Sequence, residues 1–527
     1  MNRKILFTLF VFHFALLLTA QTYKNPVIHA DYSDPDVCRV GDDYYMTASS
    51  FNCIPGLPVL HSKDLVHWEL VNYALPVQKP LDFFNKPQHG NGVWAPSIRF
   101  HNGEFYIYWG NPDFGLYMMK ASDPRGEWSE PVMVKEGKGL IDCCPFWDED
   151  GNAYISFAFA GSRAGNKSVL LMSRLSADGT RAIGESRIVF DGKEKHPTVE
   201  GTKLYKRNGY YYIFAPAGGV ATGWQLVLRS KNIWGPYEEK IVLAQGNTNI
   251  NGPHQGAWVD TPSGEDWFIH FQDKGAYGRI VHLQPMVWKE DGFPIMGNNG
   301  EPVREWKIPK TKFSAKPNTS NLTFAKSQSA LPLEWQWHAN PQLTWLFNDI
   351  ANNHLRLYSV FTDSVRNLWD VPNLLLQKFP AEEFTVTAKM TFTPDARYTG
   401  ERAGFVVMGE DYALISIENT RDGLIFSQRE CMQAHKGNEE KINAFAPTLV
   451  NSFYVKLEVR KNAVCHFSYS LDGVNFNEMG NAFTAKAGRW IGAKFGFFCQ
   501  RPKWSNDGGW LDVSEINVTQ TLLPLPD

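Results

Sequence analysis

Asn102-Gly103-Glu104-Phe105-Tyr106-Ile107 is a glycine turn that opens an aromatic strand-like run, and its kind recurs along the first half of the chain. The other copies are Gly41-Asp42-Asp43-Tyr44-Tyr45-Met46, Asp150-Gly151-Asn152-Ala153-Tyr154-Ile155, Asn208-Gly209-Tyr210-Tyr211-Tyr212-Ile213 and Gly264-Glu265-Asp266-Trp267-Phe268-Ile269. The steps between their glycines are roughly 50–60 residues, about the size of one propeller blade. Five units predict five blades. A second echo supports a shared template: Ser62-Lys63-Asp64-Leu65-Val66-His67-Trp68, Ser122-Asp123-Pro124-Arg125-Gly126-Glu127-Trp128 and Ser230-Lys231-Asn232-Ile233-Trp234 each close a polar turn on a tryptophan.

Working outward from each turn, one residue stands out seven to ten positions ahead of the glycine: Asp34, Trp94, Asp142, Glu200 and His254. In a propeller the first strand of each blade lines the central channel, and the turn leads to the second strand. Matched offsets therefore place these five residues around one ring, although Asp34 and His254 are far apart in the chain. Three carboxylates and a histidine in a ring suit acetal cleavage. One carboxylic acid protonates the leaving oxygen, and a carboxylate drives attack at the anomeric carbon. A third carboxylate close by holds the acid's pKa up. Taken singly, an aspartate before proline, as at Asp34, is also an ordinary turn former; the repetition at matched offsets is what argues for chemistry.

At 527 residues the chain exceeds one ordinary core, and two domains are expected. A net charge of −3 supplies no basic field for nucleic acid. Residues 1–20 read as a secretory signal peptide, with Arg3 and Lys4 ahead of an apolar run from Ile5 to Leu18 and Ala20 as the cleavage position. That run is short for a membrane span and no later segment qualifies, so the expected location is secreted or periplasmic. Seven cysteines, an odd number with Cys143 and Cys144 adjacent, read as buried thiols rather than a disulfide framework, and no Cys/His spacing suggests zinc. Residues 21–307 carry short alternating and aromatic strands. Residues 308–331 turn polar and read as a linker. From 332 to 527, runs such as Phe384-Thr385-Val386-Thr387-Ala388-Lys389-Met390 alternate again and predict a β-sandwich. The fold class is all-β.

Several motifs resemble glycoside hydrolase family 43: Asn25-Pro26-Val27 through Ser33-Asp34-Pro35-Asp36-Val37, Gly92-Val93-Trp94-Ala95-Pro96-Ser97, Leu140-Ile141-Asp142, Val199-Glu200-Gly201 with Leu204-Tyr205-Lys206, Pro253-His254-Gln255-Gly256, and Gly278-Arg279 with Gln284. The resemblance spans nearly the whole mature chain, because residues 332–527 look like the concanavalin-like sandwich of the family's xylosidase-type members. It implies a five-bladed β-propeller with an inverting mechanism. On the matching positions Asp34 is the general base, Glu200 the general acid, and Asp142 orients Glu200 and raises its pKa. His254 lies deep in the channel near a water or bound cation, Arg279 binds sugar hydroxyls, and Phe51 and Trp94 form apolar walls. No cofactor is required; a bound Ca2+ is admitted. The chain departs from the usual pattern at Tyr32-Ser33 and Cys143-Cys144-Pro145, which bear on substrate choice more than on chemistry.

The expected activity is exo-acting removal of terminal β-D-xylosyl or α-L-arabinofuranosyl groups from plant cell-wall polysaccharides or oligosaccharides. The expected partner is that carbohydrate, with no nucleic acid and no membrane span. The sandwich is expected to close one side of the pocket through the loop holding Arg501 and Trp504. The alternatives are an endo-arabinanase or galactan side-chain enzyme, a retaining fructan-type hydrolase, and a non-catalytic carbohydrate-binding propeller.

Overall fold

The computed structural model describes residues 21–313 and 331–520. The expected signal peptide and most of the expected linker lie outside them. Five four-stranded antiparallel sheets, each built from consecutive strands, form the blades. Their first strands are Asp36–Val40, Trp94–His101, Leu140–Trp147, Lys203–Arg207 and His254–Asp260. Neighbouring blades meet through these innermost strands around the channel. Each recurrent glycine sits between the first and second strands with positive φ, from 64° at Gly41 to 83° at Gly151 and Gly264. A Cβ there would meet open space, so it is the left-handed backbone, not crowding, that calls for glycine. The tryptophan echo is structural: Trp68 Nε1 donates to Leu65 O at 2.9 Å and Trp128 Nε1 to Pro124 O at 3.2 Å, closing the turns between third and fourth strands.

The ring is tied by its ends. Thr22–Lys24 pairs antiparallel with Glu305–Lys307, just beyond the fifth blade. Among the described residues helix is confined to single turns, such as Leu81–Phe84 and Gly161–Ala164.

After the tether come two stacked sheets, one of eight strands and one of seven. Strand Phe384–Thr393 alternates strictly, burying Phe384, Val386, Ala388, Met390 and Phe392. These side chains share one core with Phe405, Phe495 and Phe497 of the facing sheet, which is the period-two logic of a sandwich. The propeller residues Tyr277 and Ile280 belong to that same core. Backbone bonds also cross the seam: Ile54 N donates to Trp337 O at 3.0 Å and Trp337 N to Ile54 O at 2.6 Å. Gln78 and Asn340 exchange two more, at 2.9 Å each. The two domains are thus bonded as one body along their shared face. All seven cysteines are unbridged.

Candidate active site

The first strands run from one mouth of the channel to the other. Their N-terminal ends line a pit of about 810 Å³ that holds Asp34, Phe51, Trp94, Asp142, Glu200, His254 and Arg279 together. Their C-terminal ends, with Arg39, His101, Trp147, Lys206 and Asp260, line a smaller cavity of about 430 Å³. All seven residues singled out in the sequence therefore share one cavity.

Irregular backbone aims them. Three of the five first strands break register where they meet the pit: between Trp94 and Ser97, between Ile141 and Cys144, and between His254 and Gly256. Each bulge holds a residue with positive φ, namely Ala95 at 34°, Asp142 at 60° and Gln255 at 39°. Asp34, at 55°, does the same just ahead of blade 1. Such conformations are unfavourable for residues with a Cβ, and bulges beside active sites re-aim side chains that a regular strand would point elsewhere.

Asp34 is surrounded by donors. The Ser49 and Ser33 hydroxyls donate to Oδ2 at 2.5 Å and 2.8 Å, and the Arg279 guanidinium lies 3.5 Å from both oxygens. Ser49 Oγ in turn accepts from Ala95 N at 2.7 Å, tying blade 1 to the blade 2 bulge. Arg279 also bonds Ser33 Oγ at 2.6 Å, and its plane lies near the rings of Phe51, Phe271 and Trp490.

Glu200 sits across the pit with 23% of its side chain open to it. Burial, then the charge of Asp34, raises its carboxyl to about 7, with Arg279 and Lys167 pulling the other way. Asp142 is raised as well, by burial and then by Glu200 and Asp34. The two carboxyls thus share a desolvated, negative neighbourhood that disfavours ionising both. Gly201 N and Gln255 Nε2 donate to Asp142 Oδ2 at 2.8 Å and 3.2 Å, contacts that favour the anion and oppose part of that rise. The contact of Asp142 with the acid runs through the backbone of Gly201, the next residue, rather than through a carboxyl–carboxyl bond. His254 Nε2 lies 3.3 Å from Glu200 Oε1. Burial drives its imidazole down to about 3, so the ring is neutral.

His254 Nδ1 is buried without a partner. A calcium ion there would take most of its six to eight oxygen ligands from water. Among the described residues no group of three or more His, Cys, Asp or Glu side chains converges as a metal site. The nearby His270 and His282 of blade 5 are instead bonded to Gln284 and Gln272, each at 3.1 Å.

The sandwich does reach the pit, but not through the expected loop. Trp504 is 68% exposed, Arg501 is turned back onto Asp507 O at 2.8 Å, and neither lines the cavity. The sandwich residue in the wall is Trp490. Sequence reading also missed Ser33, Ser49, Gln255 and Lys203. The Lys203 ammonium is buried, bonding Pro96 O and Ser97 Oγ at 2.8 Å each, and it clamps blade 4 to blade 2 beneath the acids. Only its position three residues after Glu200 hinted at it.

Residues 23–294 match the sequence profile of glycosyl hydrolases family 43, and residues 323–519 that of the beta xylosidase C-terminal concanavalin A-like domain. A putative beta-xylosidase of Xylanibacter ruminicola is 39% identical over 491 residues, covering 90% of this chain and 86% of that one. A non-reducing end alpha-L-arabinofuranosidase of Bacteroides ovatus is 30% identical over 419 residues, 75% of each chain. The crystal structure of a GH43 protein of Bacillus licheniformis superposes with a TM-score of 0.83 at 25% identity, over 95% of this chain and all of that one.

Proposed function

Because the chain belongs to glycosyl hydrolases family 43, we propose that it is an exo-acting, inverting glycosidase that releases terminal pentose, β-D-xylosyl or α-L-arabinofuranosyl, from plant cell-wall glycans. The observation that carries this reading is the asymmetry of the two acids. Glu200 is raised to about 7 and so keeps a proton on a large share of molecules up to neutral pH, while Asp34 is ringed by two hydroxyls and a guanidinium that all donate to it. An acetal needs that pairing of an acid and a base.

In the proposed reaction the Glu200 carboxyl gives its proton to the glycosidic oxygen as the bond to the anomeric carbon breaks. Asp34 takes a proton from the water that attacks the opposite face. Asp142 keeps the acid's backbone fixed through Gly201. His254, neutral, offers Nε2 to the ionised Glu200 left behind. The terminal sugar lies between Asp34, Arg279, Phe51, Trp94 and Trp490, where aromatic faces meet the apolar CH faces of a sugar and the guanidinium meets its hydroxyls. The leaving group then lies on the Glu200 side, toward Lys167, Thr198 and Val220. Trp490 and Arg279 close the sugar's end of the pit, which favours attack at chain ends.

The similarity to proteins named for xylose and for arabinofuranose keeps both sugars in the reading. Release from aryl β-D-xyloside and aryl α-L-arabinofuranoside tests it. Proton NMR of the first-formed sugar should give the anomer opposite to the substrate's. Retention of configuration, or no release from either substrate, would overturn it. We also propose export directed by residues 1–20; cell fractionation that finds the intact chain in the cytoplasm would refute it.

A further inference from the structure

Lys494, on the sandwich strand Lys494–Arg501, is 2% exposed, and its ammonium points across the seam into the propeller. Its partners are the Cys53 sulfur and Gln336 Oε1, each at 3.0 Å. Cys53 is 1% exposed. Among the described residues no carboxylate lies within ion-pair distance of Lys494. A second lysine, the half-buried Lys378, lies nearby, 3.8 Å over the Tyr32 ring. Among the described residues the only ionisable group in contact with Lys494 is the Cys53 thiol, so an oxidisable sulfur and an amine are held against each other across the seam.

We propose that Cys53 and Lys494 form an oxidative modification site, in which a peroxide joins them by an N–O–S bridge across the propeller–sandwich seam. The thiol loses its proton, the amine loses one N–H hydrogen, and S–O and O–N bonds form around one oxygen atom. Two equivalents of hydrogen peroxide are reduced and three waters leave, a four-electron oxidation in all. Two equivalents of a dithiol, each giving two electrons and two protons as it closes to a disulfide, reverse it, returning thiol, amine and one water. The geometry favours this over deeper oxidation of sulfur, because the amine already touches the sulfur. The bridge would close a loop of 441 residues in sequence separation. It would also tie the segment carrying Phe51, two residues from Cys53, to the segment carrying Trp490, four residues from Lys494, both of which line the pit.

The test is peptide mapping of the whole purified protein after titration with hydrogen peroxide. The expected result is a single peptide pair joining Cys53 to Lys494, heavier than the two peptides by one oxygen less two hydrogens and lost on dithiothreitol treatment. Unfolding temperature should rise on oxidation and fall back on reduction. Lys494→Arg keeps the charge but should abolish the linked pair. Cys53→Ser should abolish it too, so one of the two serves if the other fails to fold. Addition of oxygen atoms to Cys53 without a linked peptide, or a Cys53 that peroxide leaves untouched, would overturn the proposal. The readout on the wild-type protein is independent of glycosidase activity, so it stands or falls apart from the proposed function.

Discussion

Trp490 of the sandwich meets Trp94 of the propeller edge to face across the pit, their ring centroids 6.3 Å apart. Trp94 is fixed from below, its Nε1 donating to Gly90 O at 2.8 Å. Phe51 lies against its other side, at 6.3 Å between centroids. One side of the sugar site is therefore made by a residue that belongs to the other domain.

Trp490→Ala should weaken sugar binding by about 1–2 kcal/mol, roughly a tenfold rise in KM, with a smaller change in kcat. Steady-state kinetics on the better aryl pentoside checks this. An unchanged KM would remove Trp490 from the sugar site.

Glu200→Gln should lower kcat by about 10²–10⁴-fold on substrates with a poor leaving group. The loss should shrink on aryl glycosides whose phenol is acidic enough to leave unprotonated. Equal losses on both substrates would speak against Glu200 as the proton donor.

The pH dependence follows from the raised carboxyl of Glu200. Activity needs its protonated form, so kcat/KM should fall as pH rises through about 7. Stability moves in the same direction. The folded state holds this proton more tightly than the unfolded chain, so the contribution is complete below the ordinary glutamate range and is lost as pH climbs to about 7. Glu200→Gln should therefore stabilise the fold at pH 8, by on the order of 1–3 kcal/mol, with little effect at pH 4. Thermal melts of both proteins at the two pH values check the sign.

Gly201→Ala strikes the link between the acids. Gly201 has φ 64°, and a Cβ there would lie 2.7 Å from Pro216 Cδ and 2.9 Å from Gln255 Cδ. Both donors to Asp142 would shift together, since Gln255 is one and the Gly201 amide is the other. The expected outcome is a loss of about 1–3 kcal/mol in stability and a clear fall in kcat. Chemical denaturation beside kinetics separates the two.

The blades were legible because the glycine at each inner turn needs a left-handed backbone, and that need is written in the residue itself. Asp34, Asp142, Glu200 and His254 were legible through their constant distance from those glycines. The bulges that aim them were not, because a register break depends on which strand lies alongside. Trp490 carries no local mark either: its place in the pit follows from how the sandwich sits on the propeller. The aromatic, glycine-rich stretch around Arg501 and Trp504 drew attention by composition. It lies at the far end of the strand that starts at Lys494, roughly 20 Å along it from the seam. Asp142 was expected to act on Glu200 through its charge; the two carboxyls do repel each other, and burial and Asp34 raise the acid further.

The pairing of Thr22–Lys24 with Glu305–Lys307 bears on the order in which the protein can be made. The strand that emerges first from the ribosome has no partner until nearly three hundred more residues have followed. Each blade can form as it emerges, being built from consecutive strands, but the ring stays open until its last stave arrives. Trp490 appears later still. A chain cut short before Glu305 therefore leaves the ring open, and one cut short before Trp490 leaves the pit without its sandwich wall.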